Sequence, residues 1–208
     1  MVKNIGKWVG LLPLLLAITE QATAEETSIF EPAIERQEVT VAAVDTENFE
    51  IGLTTGIFQV ANFGSSASYG LRAAYHLTED YFIEASYRTS TVSDDAFRRF
   101  GLPVFPSPEE DLKNYSFSIG MNLLPGEIFI GRNHAFTSAF YLLAGVGSTE
   151  FVGDDRFTVD VAAGLGVLAT DWLRLQLEAR DHIWESDLLG KEEMTHNFEV
   201  SLGLSLFF

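Results

Sequence analysis

From Phe49 to Phe208 the chain alternates apolar and polar residues with a period of two, one segment after another. That period belongs to β-strands, whose successive side chains point to opposite faces of a sheet. Eight segments carry it: Phe49–Val60, Ser68–Leu77, Tyr81–Val92, Lys113–Leu124, Ala139–Phe151, Phe157–Leu168, Trp172–Trp184 and Thr195–Phe208. The fourth is the cleanest. There Tyr115, Phe117, Ile119, Met121 and Leu123 oppose Asn114, Ser116, Ser118, Gly120 and Asn122.

A soluble sandwich and a membrane barrel both alternate, so the polar face has to decide between them. It carries Arg72, Arg88, Arg174 and Arg180 together with Glu50, Glu84, Asp160, Glu178 and Glu199. Inside a narrow barrel such charges must pair, because an unpaired buried charge is very costly. Gly and Ala are frequent on the same face, as a crowded lumen needs. Segment lengths suit tilted membrane strands of ~9–11 residues plus overhang. The turns Thr78–Asp80 and Ala169–Asp171 are short and fall on one end, while the longest connection, Ser93–Asp111, falls on the other. The expected fold is all-β: a transmembrane antiparallel up-and-down β-barrel of eight strands. Pro125–Thr137 is long for a turn and contains Glu127-Ile128-Phe129-Ile130, so a count of ten strands stays open there.

The N-terminus reads as a targeting segment. Lys3 and Lys7 precede an apolar stretch from Trp8 to Ile18, and Ala22-Thr23-Ala24 is a small-x-small cleavage site before Glu25. The expected organisation is a signal peptide at 1–24, an acidic periplasmic lead-in at 25–48 with a short strand at Val39–Val44, and a barrel at 49–208. A net charge of −17 argues against nucleic acid as a partner. The absence of cysteine removes disulfides and thiolate metal sites.

The last strand resembles the insertion signal read by the barrel assembly machinery: polar, any, Gly, any two, apolar, any, aromatic. Here it runs Ser201-Leu202-Gly203-Leu204-Ser205-Leu206-Phe207-Phe208, with Ser201, Gly203, Leu206 and Phe208 at the matching positions. Residues Asp45–Gly52, Asn122–Glu127, Gly153–Phe157 and Arg180–His182 resemble a gammaproteobacterial family of outer membrane β-barrel domain proteins, over residues 30 to 208. More loosely the chain is similar to the membrane domain of outer membrane protein A and to outer membrane protein X. The resemblance implies a barrel in the bacterial outer membrane with no assigned reaction; a monomer in contact with outer-membrane lipids and lipopolysaccharide is expected.

Candidate chemistry is sparse. Parity puts His76 and His182 on the lumen face and His196 on the opposite one, so with His134 no three converge and no metal site is expected. His182 and Ser186 lack the His-x-Ser arrangement of barrel lipid A deacylases, and His182 reads as a loop-edge residue; neither an enzyme nor a cofactor is expected. Asp94-Asp95, Glu109-Glu110-Asp111, Asp154-Asp155 and Glu192-Glu193 read as solvated loop charges. Trp172 and Trp184 stand ~30 Å apart along one tilted strand, the spacing of two aromatic girdles, although both share parity with the lumen. The lumen cluster expected to matter most is Asp160, Arg180 and Glu199. Index parity and like-charge avoidance set Arg180 opposite Glu199, and a turn at Ala169–Asp171 sets Asp160 opposite Arg180. The function expected is structural or interactive, with a side-chain-filled lumen and acidic external loops; the alternative is a channel for small solutes.

Overall fold

The structure, a computed structural model, describes residues 48–130 and 134–208. The leader with Ala22, Ala24 and Glu25, and the strand expected at Val39–Val44, lie outside the described residues. The strands are β1 (Phe49–Val60), β2 (Gly64–His76), β3 (Tyr81–Ser93), β4 (Glu109–Ile130), β5 (His134–Phe151), β6 (Asp154–Thr170), β7 (Leu173–Ser186) and β8 (Glu193–Phe207). Each pairs antiparallel with its sequence neighbours, and β1 pairs with β8, so the eight strands close into a barrel. Closure satisfies the backbone of every strand edge, which a hydrocarbon environment requires.

The faces follow the alternation. Leu53, Leu71, Ile119, Leu177 and Leu202 are exposed on the outside, while Glu50, Arg72, Glu84, Arg88, Glu178 and Arg180 are buried inside. Exposed Phe49, Tyr81, Trp172 and Phe208 ring the end that holds the barrel's two termini. An apolar band bounded by aromatics outside, with charge inside, is the arrangement that suits lipid around a barrel.

The open question at Pro125–Thr137 resolves into eight strands. Pro125 to Ile130 pair with His134 to Ala139, so the segment lengthens β4 and β5 into a hairpin beyond the wall and adds no new strand. A bulge at Leu124, with φ 48°, marks where the hairpin leaves the barrel. Two other expectations are corrected. Trp184 is no girdle residue: it obeys its parity, points inward and is 1% exposed. Asp94 is not a solvated loop charge but is buried at the base of the β3–β4 loop.

That loop contains a short helix, α1 (Asp95–Arg98), and folds over the outer mouth. The Asp94 carboxylate organises it. Oδ2 accepts the backbone N–H groups of Val104 and Phe105 at 2.9 Å each, and Oδ1 accepts Arg98 Nε. Desolvation pushes this carboxyl up, but the Phe105 and Val104 amides and the Arg98 guanidinium outweigh it and hold it below the usual carboxylate range.

Candidate functional site

The lumen is filled in layers. At the outer end Phe58, Val60, Val92, Leu112, Phe151 and Trp184 converge from the strands, and Phe105 enters from the loop above. Phe63 seals the top, its ring 4.7 Å from Phe105. At the end that holds the barrel's two termini Phe82 and Tyr141 meet edge-on at 6.0 Å, with Ala74, Leu143 and Ala162 around them. Gly164 makes room for this layer, since a Cβ there would overlap the Tyr141 ring.

From the level of this layer up toward the cap runs a chain of basic and acidic side chains. His76 Nε2 lies 3.0 Å from Glu50 Oε2, and Glu50 Oε1 lies 3.3 Å from Arg72 Nη1. Arg72 Nη2 contacts Glu84 Oε2 at 2.6 Å, an ion pair by distance whose angles do not make a hydrogen bond. Glu84 Oε1 accepts Arg180 Nη2 at 2.7 Å, and Glu178 Oε1 accepts Arg180 Nε at 3.0 Å. The same Glu178 oxygen accepts Arg88 Nη2 at 2.8 Å, and Glu199 Oε2 accepts Arg88 Nη1 at 2.7 Å. His182 ends the chain, with Nε2 at 3.2 Å from Glu199 and Nδ1 at 2.7 Å from Asp160. Hydroxyls satisfy leftover oxygens: Tyr141 donates to Glu178 at 2.9 Å and Ser68 to Glu199 at 2.6 Å. From Glu50 to Arg88 every member contacts two partners of opposite sign, Glu50 being held by Arg72 and Arg174, which offsets the desolvation that an isolated ion pair would suffer.

Asp160, Arg180 and Glu199 all lie inside, buried to 2% exposure or less. The β7–β8 register sets Arg180 opposite Glu199 and Glu178 opposite Ser201, as charge avoidance requires. The β6–β7 register differs from expectation. Asp160 stands opposite His182, and Arg180 opposite Ala162. The turn between these strands is tighter, closing on Asp171 and Trp172 with a bulge between Leu168 and Thr170, and this moves the pairing by two residues. The partners of Arg180 differ as well. Its guanidinium crosses the lumen to Glu84 on β3 instead of sitting between Asp160 and Glu199, and Arg88 takes Glu199. In so narrow a barrel a long side chain reaches the opposite wall as readily as its neighbour.

His182 is therefore a buried member of the network and not a loop-edge residue, and His196 lies outside against Asp181 at 2.7 Å. In the terminal strand Ser201 is buried and Gly203 faces inward, while Leu206 and Phe208 point outward. Phe208 closes the seam: its N–H donates to Phe49 O at 2.9 Å, and their rings stack at 6.4 Å.

The class this defines is the small transmembrane β-barrel of the outer-membrane type. No family model matches the chain, and no curated protein does. In fold it is similar to Neisserial surface protein A at 17% identity and a TM-score of 0.45, over 77% of this chain and 97% of that one. The N-terminal β-barrel domain of Pseudomonas aeruginosa OprF is 11% identical with a TM-score of 0.45, over 78% and 98% of the two chains. Ail, the attachment invasion locus protein of Yersinia pestis, is 15% identical with a TM-score of 0.42, over 77% and 96%. Identities this low transfer no residue role.

Proposed function

We propose that this protein is a closed, integral barrel of the bacterial outer membrane with a structural or interaction role, acting through its surfaces and not through its lumen. The observation that carries the reading is the filled lumen: an apolar outer cap, a continuous charge chain and an aromatic periplasmic layer occupy its length. A solute crossing it would have to displace buried ion pairs held by several strands at once. The external loops and the lipid-facing band are then the working surfaces, in contact with outer-membrane lipids and lipopolysaccharide, and the protein acts as a monomer. Reconstitution into liposomes tests the reading. Swelling in small sugars and amino acids is expected to match protein-free vesicles, and rapid swelling would favour the transport reading.

Assembly follows from the terminal strand. Removing Phe208 deletes the closing hydrogen bonds to Phe49 and the aromatic end of the insertion signal. The truncated protein is expected to lose the heat-modifiable gel migration of a folded barrel. Assembly at the parental level would overturn the role given to that residue.

A further inference from the structure

The periplasmic mouth is not filled to the rim. Below the Phe82–Tyr141 layer a cleft of about 370 Å³ opens, with the β4–β5 hairpin forming one wall at Pro125. Its floor holds Arg174, whose side chain is 7% exposed. Arg72, Arg88 and Arg180 each contact two carboxylates. Among the described residues Arg174 has one, with Nη1 at 3.4 Å from Glu50 Oε2, an oxygen already 3.0 Å from His76. Gln176 donates to the other Glu50 oxygen, so that carboxylate has little left to offer. The guanidinium is nonetheless held in place. It packs over Gly166, where a Cβ would collide with Nε and Nη2, and its Cζ lies 5.4 Å from the centre of the Tyr141 ring. A fork of five donors is thus fixed at the bottom of the cleft, with one hydrogen bond to an acceptor among the described residues.

The other side of the cleft has the opposite character. Asn122 on β4 donates its Nδ2 to Glu79 O at 2.9 Å, which ties the β2–β3 turn to β4. The Glu79 and Asp80 carboxylates stand exposed at the same rim, with no hydrogen bond among the described residues. Between floor and rim the lining includes the apolar side chains of Leu168 and Phe207. Arg174 belongs to β7 and the carboxylates to the β2–β3 turn, so the two charge signs line the cleft from different strands.

We propose that this cleft binds a short peptide with both termini free. Its carboxylate meets the Arg174 guanidinium, and its ammonium meets Glu79 and Asp80. A dipeptide separates its two charges by two residues, or ~7 Å when extended, and is the smallest peptide that keeps both termini free. The ligand has no net charge, so it does not upset the balance of the lumen. Entry is from the periplasm alone, a point that rests on the closed-lumen reading; binding and permeability are measured separately, so the two can fail independently.

The test is calorimetric titration of the intact barrel in detergent micelles with alanyl-leucine, its N-acetylated form and its C-amidated form. Free dipeptide is expected to bind, and each blocked form about tenfold more weakly, the loss set by one charge-assisted hydrogen bond. Arg174→Gln is expected to weaken the free dipeptide about tenfold while leaving the C-amidated form unchanged. The exposed rim pair Glu79→Gln with Asp80→Asn, remote from the lumen network, is expected to weaken the free dipeptide similarly and to spare the N-acetylated form. Heat-modifiable migration confirms folding of each variant. No binding of the free dipeptide at ~10 mM, equal binding of free and blocked forms, or unchanged affinity in the folded rim variant would overturn the proposal.

Discussion

The charged middle of the lumen and the apolar cap above it fill the same barrel by different physics. In the middle, each guanidinium is directional and shared: Arg180 spans Glu84 and Glu178, and Arg88 spans Glu178 and Glu199. In the cap, Phe58, Phe105, Phe151 and Trp184 fill volume, with ring contacts at assorted angles. A directional network fails when one member changes shape, whereas a packed cluster tolerates a change that conserves volume. The middle therefore ties distant strands into one register, and the cap ties the external loops to the wall.

Substitutions in each region sharpen that contrast. Arg180→Ala should cost on the order of 3–5 kcal/mol, because Glu84 and Glu178 each lose a buried cation. Urea unfolding in lipid vesicles measures it, and a cost below ~1 kcal/mol would mean the network is not buried as described. Arg180→Lys should recover little, since a single ammonium cannot reproduce Nε and Nη2 contacts to two carboxylates. Phe105→Ala should cost about 3 kcal/mol, the low end for emptying an aromatic site, because its loop can partly collapse. Phe105→Leu should cost under ~1.5 kcal/mol. If the Leu variant at 105 proves as damaging as the Lys variant at 180, the contrast between the two regions is wrong.

The smallest effect belongs to the clamp beneath the cap. Asp94→Ala should raise hydrogen exchange at the Val104 and Phe105 amides and leave the strands unchanged. Acid should do the same to the unaltered protein. The Asp94 carboxyl titrates below its unfolded value, so its stabilisation is complete above the ordinary carboxylate range and is lost as pH falls through the lower, folded value. Protection of these two amides that is the same in Asp94→Ala as in the unaltered protein would rule out the clamp.

The two regions also differed in how far they could be read beforehand. The network could be read residue by residue, because Glu50, Arg72, Glu84, Arg88, Asp160, Glu178, Arg180 and Glu199 all keep the lumen parity of their strands. Its wiring could not, because contacts across a lumen depend on barrel shear, and shear depends on turns such as Asp171–Trp172 whose tightness one bulge changes. The cap was nearly invisible. Phe58, Val60 and Trp184 are apolar residues at polar-face positions, and alternation alone treats them as lapses. Phe105 comes from a loop, where no periodicity operates. Only the Trp184 parity conflict signalled that the outer lumen turns apolar. Asp94 looked like one acid among many, since nothing in the sequence distinguishes a clamped carboxylate from a solvated one.

Single-channel recording in planar bilayers tests the closed lumen most directly. Inserted wild-type protein is expected to give no stable conductance at ordinary voltages, because the Phe105–Trp184 cap, the Arg–carboxylate chain and the Phe82–Tyr141 layer block the path in series. Long-lived, ohmic openings from the folded wild-type barrel would contradict the account.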